Sequence, residues 1–232
     1  MRLNTWAIAL VIAGGLCALP VQAALVGYTD RAAFDSAVAA LPGPSTSTLN
    51  FDDLAADTRI ASGADAGGIR FDYDLGGVSL QVKAGVPTVS SPNFLGTDDA
   101  GVLQQGDNFQ LRFGAANAVG LYLMSIDTLM GDDFRLAVAG TYVSLSTAAL
   151  QQTLGDGTQV YFLGLVDATA TFTSASLSTG QNGSGQFLWN ADDIVTASAA
   201  PGAGTVPEPG RLAMLGVGLM VLVAARTRNK KE

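Results

Sequence analysis

Aspartate is the residue type with the most chemistry to offer in this chain. Residues 24–206 hold eighteen Asp and no Glu, against five Arg and one Lys, a balance of −12. Four adjacent pairs stand out: Asp52-Asp53, Asp98-Asp99, Asp132-Asp133 and Asp192-Asp193. Such a supply of oxygen suits Ca²⁺, which takes about six to eight ligands from carboxylates, amide side chains and carbonyls. Neighbours on a regular strand point to opposite faces, so a pair cannot grip one ion side by side unless the strand ends there. Asp98-Asp99-Ala100-Gly101 has neither the alternating ligands nor the closing Glu of an EF-hand. Two carboxylates could also act as acid and base of a glycosidase, although no spacing selects a pair.

Other chemistries are short of residues. The chain has no His, which removes imidazole bases, Ser-His-Asp triads and His-based metal sites. Lys83 is the one lysine between residues 24 and 206. Gly183-Ser184-Gly185 lacks the nucleophile-elbow spacing and reads as a polar loop. Cys17 is the single cysteine and lies near the N-terminus, so the bulk of the chain has no thiolate and no disulfide. The acidic excess argues against nucleic acid, whose phosphates it would repel.

Sugar binding calls for exposed aromatic rings. Trp189 is the sole tryptophan after residue 24, in Gln186-Phe187-Leu188-Trp189-Asn190. It is the candidate sugar platform, but Phe187 and Trp189 share one phase, and the expected direction for both is inward.

The elements that must position these residues are mostly strands. Asp is a turn former and Glu a helix former, so an all-Asp domain fits a β-rich chain. One helix is expected, Asp30 to Leu41, capped by Thr29, with Phe34, Val38 and Leu41 on one face. Pro42-Gly43-Pro44 ends it. Alternation then predicts strands at Ile69–Tyr73, Val78–Val82, Phe109–Phe113, Val119–Leu123 and Phe134–Val138. Further strands are expected at Tyr142–Leu145, Gln159–Val166, Thr171–Leu177 and Ile194–Ala197. Gly- and Asp-rich turns separate them, as in Gly131-Asp132-Asp133 and Gly155-Asp156-Gly157. The expected fold class is all-β: an antiparallel, jelly-roll-like β-sandwich over residues 24–197 with the short helix packed across one end.

Both termini read as address labels. Met1-Arg2, the apolar run Trp6 to Leu19 and Val21-Gln22-Ala23 form a signal peptide, residues 1–23, with cleavage expected between Ala23 and Ala24. Residues 198–205, rich in Ala, Gly and Ser, are expected to be a flexible linker. Residues 206–232 begin Val206-Pro207-Glu208-Pro209-Gly210 and continue, after Arg211, as an unbroken apolar or Gly run from Leu212 to Ala225. Arg226, Arg228, Lys230 and Lys231 close the chain as a basic stop, predicting a cytoplasmic C-terminus during a transient membrane stage.

This tail resembles the PEP-CTERM sorting signal of Gram-negative bacteria, through Pro207-Glu208-Pro209, the apolar helix and the basic end. The resemblance covers about a tenth of the chain. It implies export and signal-peptidase cleavage, membrane anchoring through the tail, processing by an exosortase near Pro207-Glu208-Pro209, and delivery to the cell surface or its polysaccharide matrix. The middle of the chain is similar in outline to carbohydrate-binding jelly rolls that share a structural Ca²⁺ between an early and a final strand. That likeness implies Asp52 or Asp53 on the early side and Asp193 on the late side. The functional expectation is a non-catalytic surface or matrix protein associated with exopolysaccharide. A calcium-dependent, lectin-like module is the alternative, and a secreted glycoside hydrolase a third class.

Overall fold

The computed structural model describes residues 25–146, 150–180 and 186–200. The signal peptide with Ala23 and Ala24, the Gly183-Ser184-Gly185 loop, and the tail with Pro207, Glu208, Pro209, Arg226, Arg228, Lys230 and Lys231 lie outside them. In chain order the elements are β1 (Val26–Tyr28), α1 (Arg31–Ala39), β2 (Ser45–Leu49), β3 (Arg59–Ile60), β4 (Asp65–Ala66) and β5 (Ile69–Tyr73). Then come β6 (Leu80–Ala84), β7 (Asn93–Thr97), β8 (Leu103–Gln104), β9 (Phe109–Ala116) and β10 (Ala118–Ser125). The remainder are β11 (Phe134–Val138), β12 (Thr141–Ser144), β13 (Leu150–Thr153), β14 (Gln159–Val166), β15 (Phe172–Thr179) and β16 (Leu188–Ser198).

The strands pair antiparallel and build two sheets. The larger runs β1-β14-β10-β16-β7-β6-β3, with β13 also on β14 and with β2 and β8 also on β16. The smaller runs β12-β11-β15-β9-β5-β4. Alternate residues of each meet between them. Val119, Leu121 and Leu123 of β10 and Tyr161, Leu163 and Leu165 of β14 pack with Phe109 and Leu111 of β9 and Phe134 and Leu136 of β11 in one core. The expected all-β sandwich is the observed class.

Trp189 sits in that core at 1% exposure. Its ring stacks on Phe109 at 6.0 Å between centroids and meets Phe134 edge-on at 5.0 Å. Its indole N–H donates to the Gln104 carbonyl at 3.0 Å, so its one polar atom is satisfied. Phe187 is buried beside it, as the shared phase requires.

The helix differs from expectation in cap and place. Asp30, not Thr29, is the N-cap, its carboxylate accepting from Ala33 N at 2.7 Å. Phe34, Val38 and Leu41 do share a buried face, but α1 lies on the outer face of the larger sheet rather than across one end of the sandwich. There it packs on Ala118, Phe162, Val166, Val195 and Ala197, residues whose side chains point away from the main core. Gly164 makes that contact close, since a Cβ there would stand 2.5 Å from Phe34 Cδ2.

The last strand also differs. It begins at Leu188 rather than Ile194 and carries Asp192-Asp193 within it. At its other end Ser198 still belongs to β16, and Ala199 N and Ala200 N donate to Asn117 Oδ1 and the Pro42 carbonyl. The ordered domain therefore reaches into the stretch expected to be linker.

Candidate functional site

β16 organises a cluster of charged groups that includes Asp192 and Asp193. One long edge of it changes partner along its length: Ile194 pairs with Leu49 of β2, whereas Ala191 pairs with Leu95 of β7. Between those registers the turn Asn50 to Asp53 leaves β2 and arrives beside Asp193, with Asn93 at the start of β7 facing the same gap. On the opposite edge, against β10, the register slips between Gly120 and Tyr122. Asp193 is the extra residue of this bulge, with φ +47, in the left-handed region that Asp tolerates better than most residues.

The bulge resets the phase of the strand. Trp189 and Ala191 face the main core, and so does Ile194, three residues further on instead of two. Asp192 and Asp193 consequently share the outer face, overturning the rule that neighbours on a strand must diverge. Asp192 is wholly buried. Its Oδ2 accepts from Thr88 Oγ1 at 2.5 Å and Ser90 N at 3.0 Å, and its Oδ1 accepts from its neighbour's amide, Asp193 N, at 2.8 Å. Burial pushes its carboxyl up to about 7, against the pull of the Thr88 and Ser90 hydrogen bonds. It ties the loop of residues 85–92 down onto the sheet.

Asp193 is half-buried, and burial raises its carboxyl too. The Ser90 side chain and the Arg31 guanidinium work the other way, while the negative charge of Asp52 adds to the rise. Arg31 arrives from the first turn of α1. Asp35 holds it at 2.8 Å. Its guanidinium lies 5.5 Å from the centre of the Tyr122 ring and 5.4 Å from that of Phe162, close enough for both ring faces to attract the charge. Tyr122, pairing with Asp192 across β10 and β16, has its phenol raised by burial. Asp35 and Asp193 thus share the field of one guanidinium.

Of the two early aspartates, the fold selects Asp52. Its Oδ1 accepts from Asn93 N at 2.9 Å, and the Asn93 amide donates to the Phe51 and Leu54 carbonyls at 3.2 and 2.9 Å. Asp53 is exposed and takes no part in these bonds. Of the two, Asp52 is the one whose negative charge reaches Asp193, while Asp53 stays exposed. Among the described residues, no three acidic, His or Cys side chains converge as a ready metal cage. A cation here would draw on Asp52 and Asp193 and fill its sphere with hydroxyl, carbonyl or water oxygens.

Trp189, enclosed in the core, presents no ring to a sugar. The sequence reading did not single out Asp192, Thr88, Ser90 or Arg31. The one signal for Asp192 was its place in the pair, and the bulge that gives the pair meaning leaves no mark in the residue pattern.

Elsewhere the aspartates serve the chain itself. Asp65, Asp74, Asp98, Asp107, Asp127, Asp133, Asp156 and Asp167 each accept from a backbone N–H in a turn or between loops. Asp72 is bound by Arg70 and Arg112, with the Arg112 bond first among the causes that hold its carboxyl low. No protein-family model matches this chain, and no curated protein matches it.

Proposed function

We propose that this is an exported, non-catalytic β-sandwich protein, sorted by its C-terminal tail to the cell surface or extracellular matrix and associated there with exopolysaccharide. The observation that carries the non-catalytic part is the use to which the aspartates are put. Most have their oxygens bonded to the chain's own turns, and Asp192, the one with the most perturbed carboxyl, is closed off by Thr88 and Ser90. A hydrolase needs two carboxylates with a substrate between them; Asp192 and Asp193 sit side by side under a loop. The sorting part rests on the sequence of residues 206–232, with Pro207-Glu208-Pro209 ahead of the apolar run and basic stop.

The same reading takes the sheets as jelly-roll-like, in keeping with the early strand β2 lying beside the final strand β16. It takes Asp52 and Asp193 as carboxylate ligands of a structural Ca²⁺ that pins the β2–β7 gap to the bulge. The negative charge of Asp52, which adds to the rise that burial causes at Asp193, gives a divalent cation something to relieve.

Fractionation of producing cells tests the function. The expected result is protein at the surface and in the polysaccharide fraction, released when the polysaccharide is digested. With alanine at Pro207, Glu208 and Pro209 the protein is expected to stay in the inner membrane. Equal distribution of the two forms would remove the sorting claim, and indifference to polysaccharide digestion the association.

A further inference from the structure

Three of the five arginines between residues 24 and 206 share one face. Register puts Arg70 of β5, Arg112 of β9 and Arg135 of β11 on the outer face of the smaller sheet, opposite in phase to the core residues Phe71, Leu111 and Leu136. The six strands of that sheet carry two aspartates, Asp65 and Asp72, a balance of +1 in a domain at −12. Arg70 and Arg112 stand directly opposite each other across β5 and β9, a placement that like charges make unfavourable. Asp72 serves both: Arg70 Nε donates to its Oδ1 at 3.3 Å and Arg112 Nε to its Oδ2. Asp65, on the other side of Arg70, accepts instead from Gly68 N at 3.1 Å. One carboxylate between two guanidiniums leaves an excess positive charge. The two side chains are 56% and 57% exposed, and binding Asp72 through Nε leaves the outer edges of both forks open to a further acceptor.

Arg135 is held differently. Its Nε has no hydrogen-bond partner, Asp132 Oδ1 standing 3.6 Å away, and its guanidinium lies 4.7 Å from the centre of the exposed Tyr142 ring. Strand spacing sets Arg112 and Arg135 roughly 16 Å apart, two strands across and the length from Ser174 to Ser178 along β15. Ser174, Ser176 and Gln110 fill the interval with hydroxyl and amide groups. A planar fork of donors suits a carboxylate. Cations this far apart, with neutral hydrogen-bonding groups between them, suit a polymer whose carboxylates are separated by hydroxyl-rich units. Three arginines are too few for a nucleic acid, which carries a phosphate at every nucleotide. At physiological salt the field of a charge fades over about 8 Å, so aspartates on the far side of the sandwich do not cancel this face.

We propose that the outer face of the smaller sheet binds an acidic, uronate-bearing polysaccharide, with Arg70 and Arg112 holding one carboxylate and Arg135 another. This names the chemical class of the exopolysaccharide and rests on the matrix reading above.

The test uses the full chain in a nonionic detergent without sugar headgroups, with chelator present so that no calcium bridges carboxylates. It is titrated with a linear uronic-acid oligosaccharide, a neutral glucan oligosaccharide and single-stranded DNA. Binding of the uronic-acid oligosaccharide alone is expected, weakening as salt rises. Arg112→Gln and Arg135→Gln are each expected to weaken it by about tenfold. Asp72→Asn is expected to strengthen it by about threefold, because the competing carboxylate is gone. That variant breaks the same ion pairs as Arg112→Gln, so a gain there separates binding from a loosened fold. Arg59→Gln, at an exposed arginine of the other sheet, is expected to change nothing. No binding of the uronic-acid oligosaccharide, equal binding of the glucan or the DNA, or an equal loss in Arg59→Gln would overturn the site. So would binding that survives Arg112→Gln and Arg135→Gln but disappears when Arg226, Arg228, Lys230 and Lys231 are changed to Gln, which would give the polymer to the tail. The two claims fail separately. Protein still released from producing cells by polysaccharide digestion, yet blind to uronate, sinks this face alone; uronate binding by a protein that never reaches the surface sinks the matrix reading alone.

Discussion

At the scale of residues, Asp192 and Asp193 are neighbours in sequence with different tasks. Asp192 is a buried fastener whose carboxyl is raised to about 7 from an ordinary value of 3.8. Between those values the folded chain holds a proton that the unfolded chain releases. Its contribution to stability is therefore complete below the lower value and is lost as pH rises through the higher. In chelator, the domain is expected to lose on the order of 1–3 kcal/mol between pH 5 and pH 8 through this group. Asp192→Asn should flatten that slope, because an uncharged amide oxygen still accepts from Thr88 and Ser90. Denaturant titrations at the two pH values check it, and an unchanged slope would mean Asp192 ionises freely where it lies. The proposed calcium site joins Asp193 to Asp52. Added Ca²⁺ is expected to raise the unfolding midpoint, equivalent to about 2.7 kcal/mol at a hundredfold excess over Kd. Asp193→Asn and Asp52→Asn should each abolish that rise, whereas Asp53→Asn should keep it. A rise that persists in Asp193→Asn would move the metal elsewhere.

At the scale of elements, what could be read from the sequence follows the physics of exposure. Strands with one face buried and one open announce themselves by alternation, and β5 and β11 occur where alternation places them. β7 is buried on both faces and β2 almost wholly exposed, so neither alternates, and both go unread. These two strands frame the gap where Asp52 meets Asp193, which is why the site was legible only as a pair of residues and not as a place. The helix was legible from Phe34, Val38 and Leu41. Its seat was not, since Gly164 and Phe162, which receive it, belong to a strand far along the chain. That seat is testable. Gly164→Ala puts a methyl into Phe34 and is expected to cost about 1–3 kcal/mol, and Phe34→Ala about 3–5 kcal/mol, both by equilibrium unfolding. Their combination should cost less than the sum, because the smaller ring site accepts the new methyl. Full additivity would mean that Phe34 and Gly164 do not touch. The bulge has its own consequence: deleting Asp193, its extra residue, sets Ile194 two positions after Ala191, so regular alternation keeps Trp189, Ala191 and Ile194 on the core face. A cooperatively folding deletion variant is the expected outcome, and loss of cooperative unfolding would argue against Asp193 as the extra residue.

At the scale of the whole molecule, a two-sheet core supplies rigidity, and the proposed function assigns the task to the surface and to the tail's address. The core accounts for Trp189, Phe109 and Phe134 without any ligand, and the aspartates account for the turns. The outer face of the larger sheet carries α1 and the Asp52–Asp193 gap. On the function proposed above, such a molecule would act by being delivered, held and touched rather than by turning over a substrate. The most direct test of that account is the intact mass of the protein recovered from the surface and matrix of producing cells. The expected species starts at Ala24 and ends near Pro207-Glu208-Pro209, with the apolar run and basic stop removed. Full-length chain confined to the cytoplasm or the inner membrane, and no trimmed form outside, would contradict it.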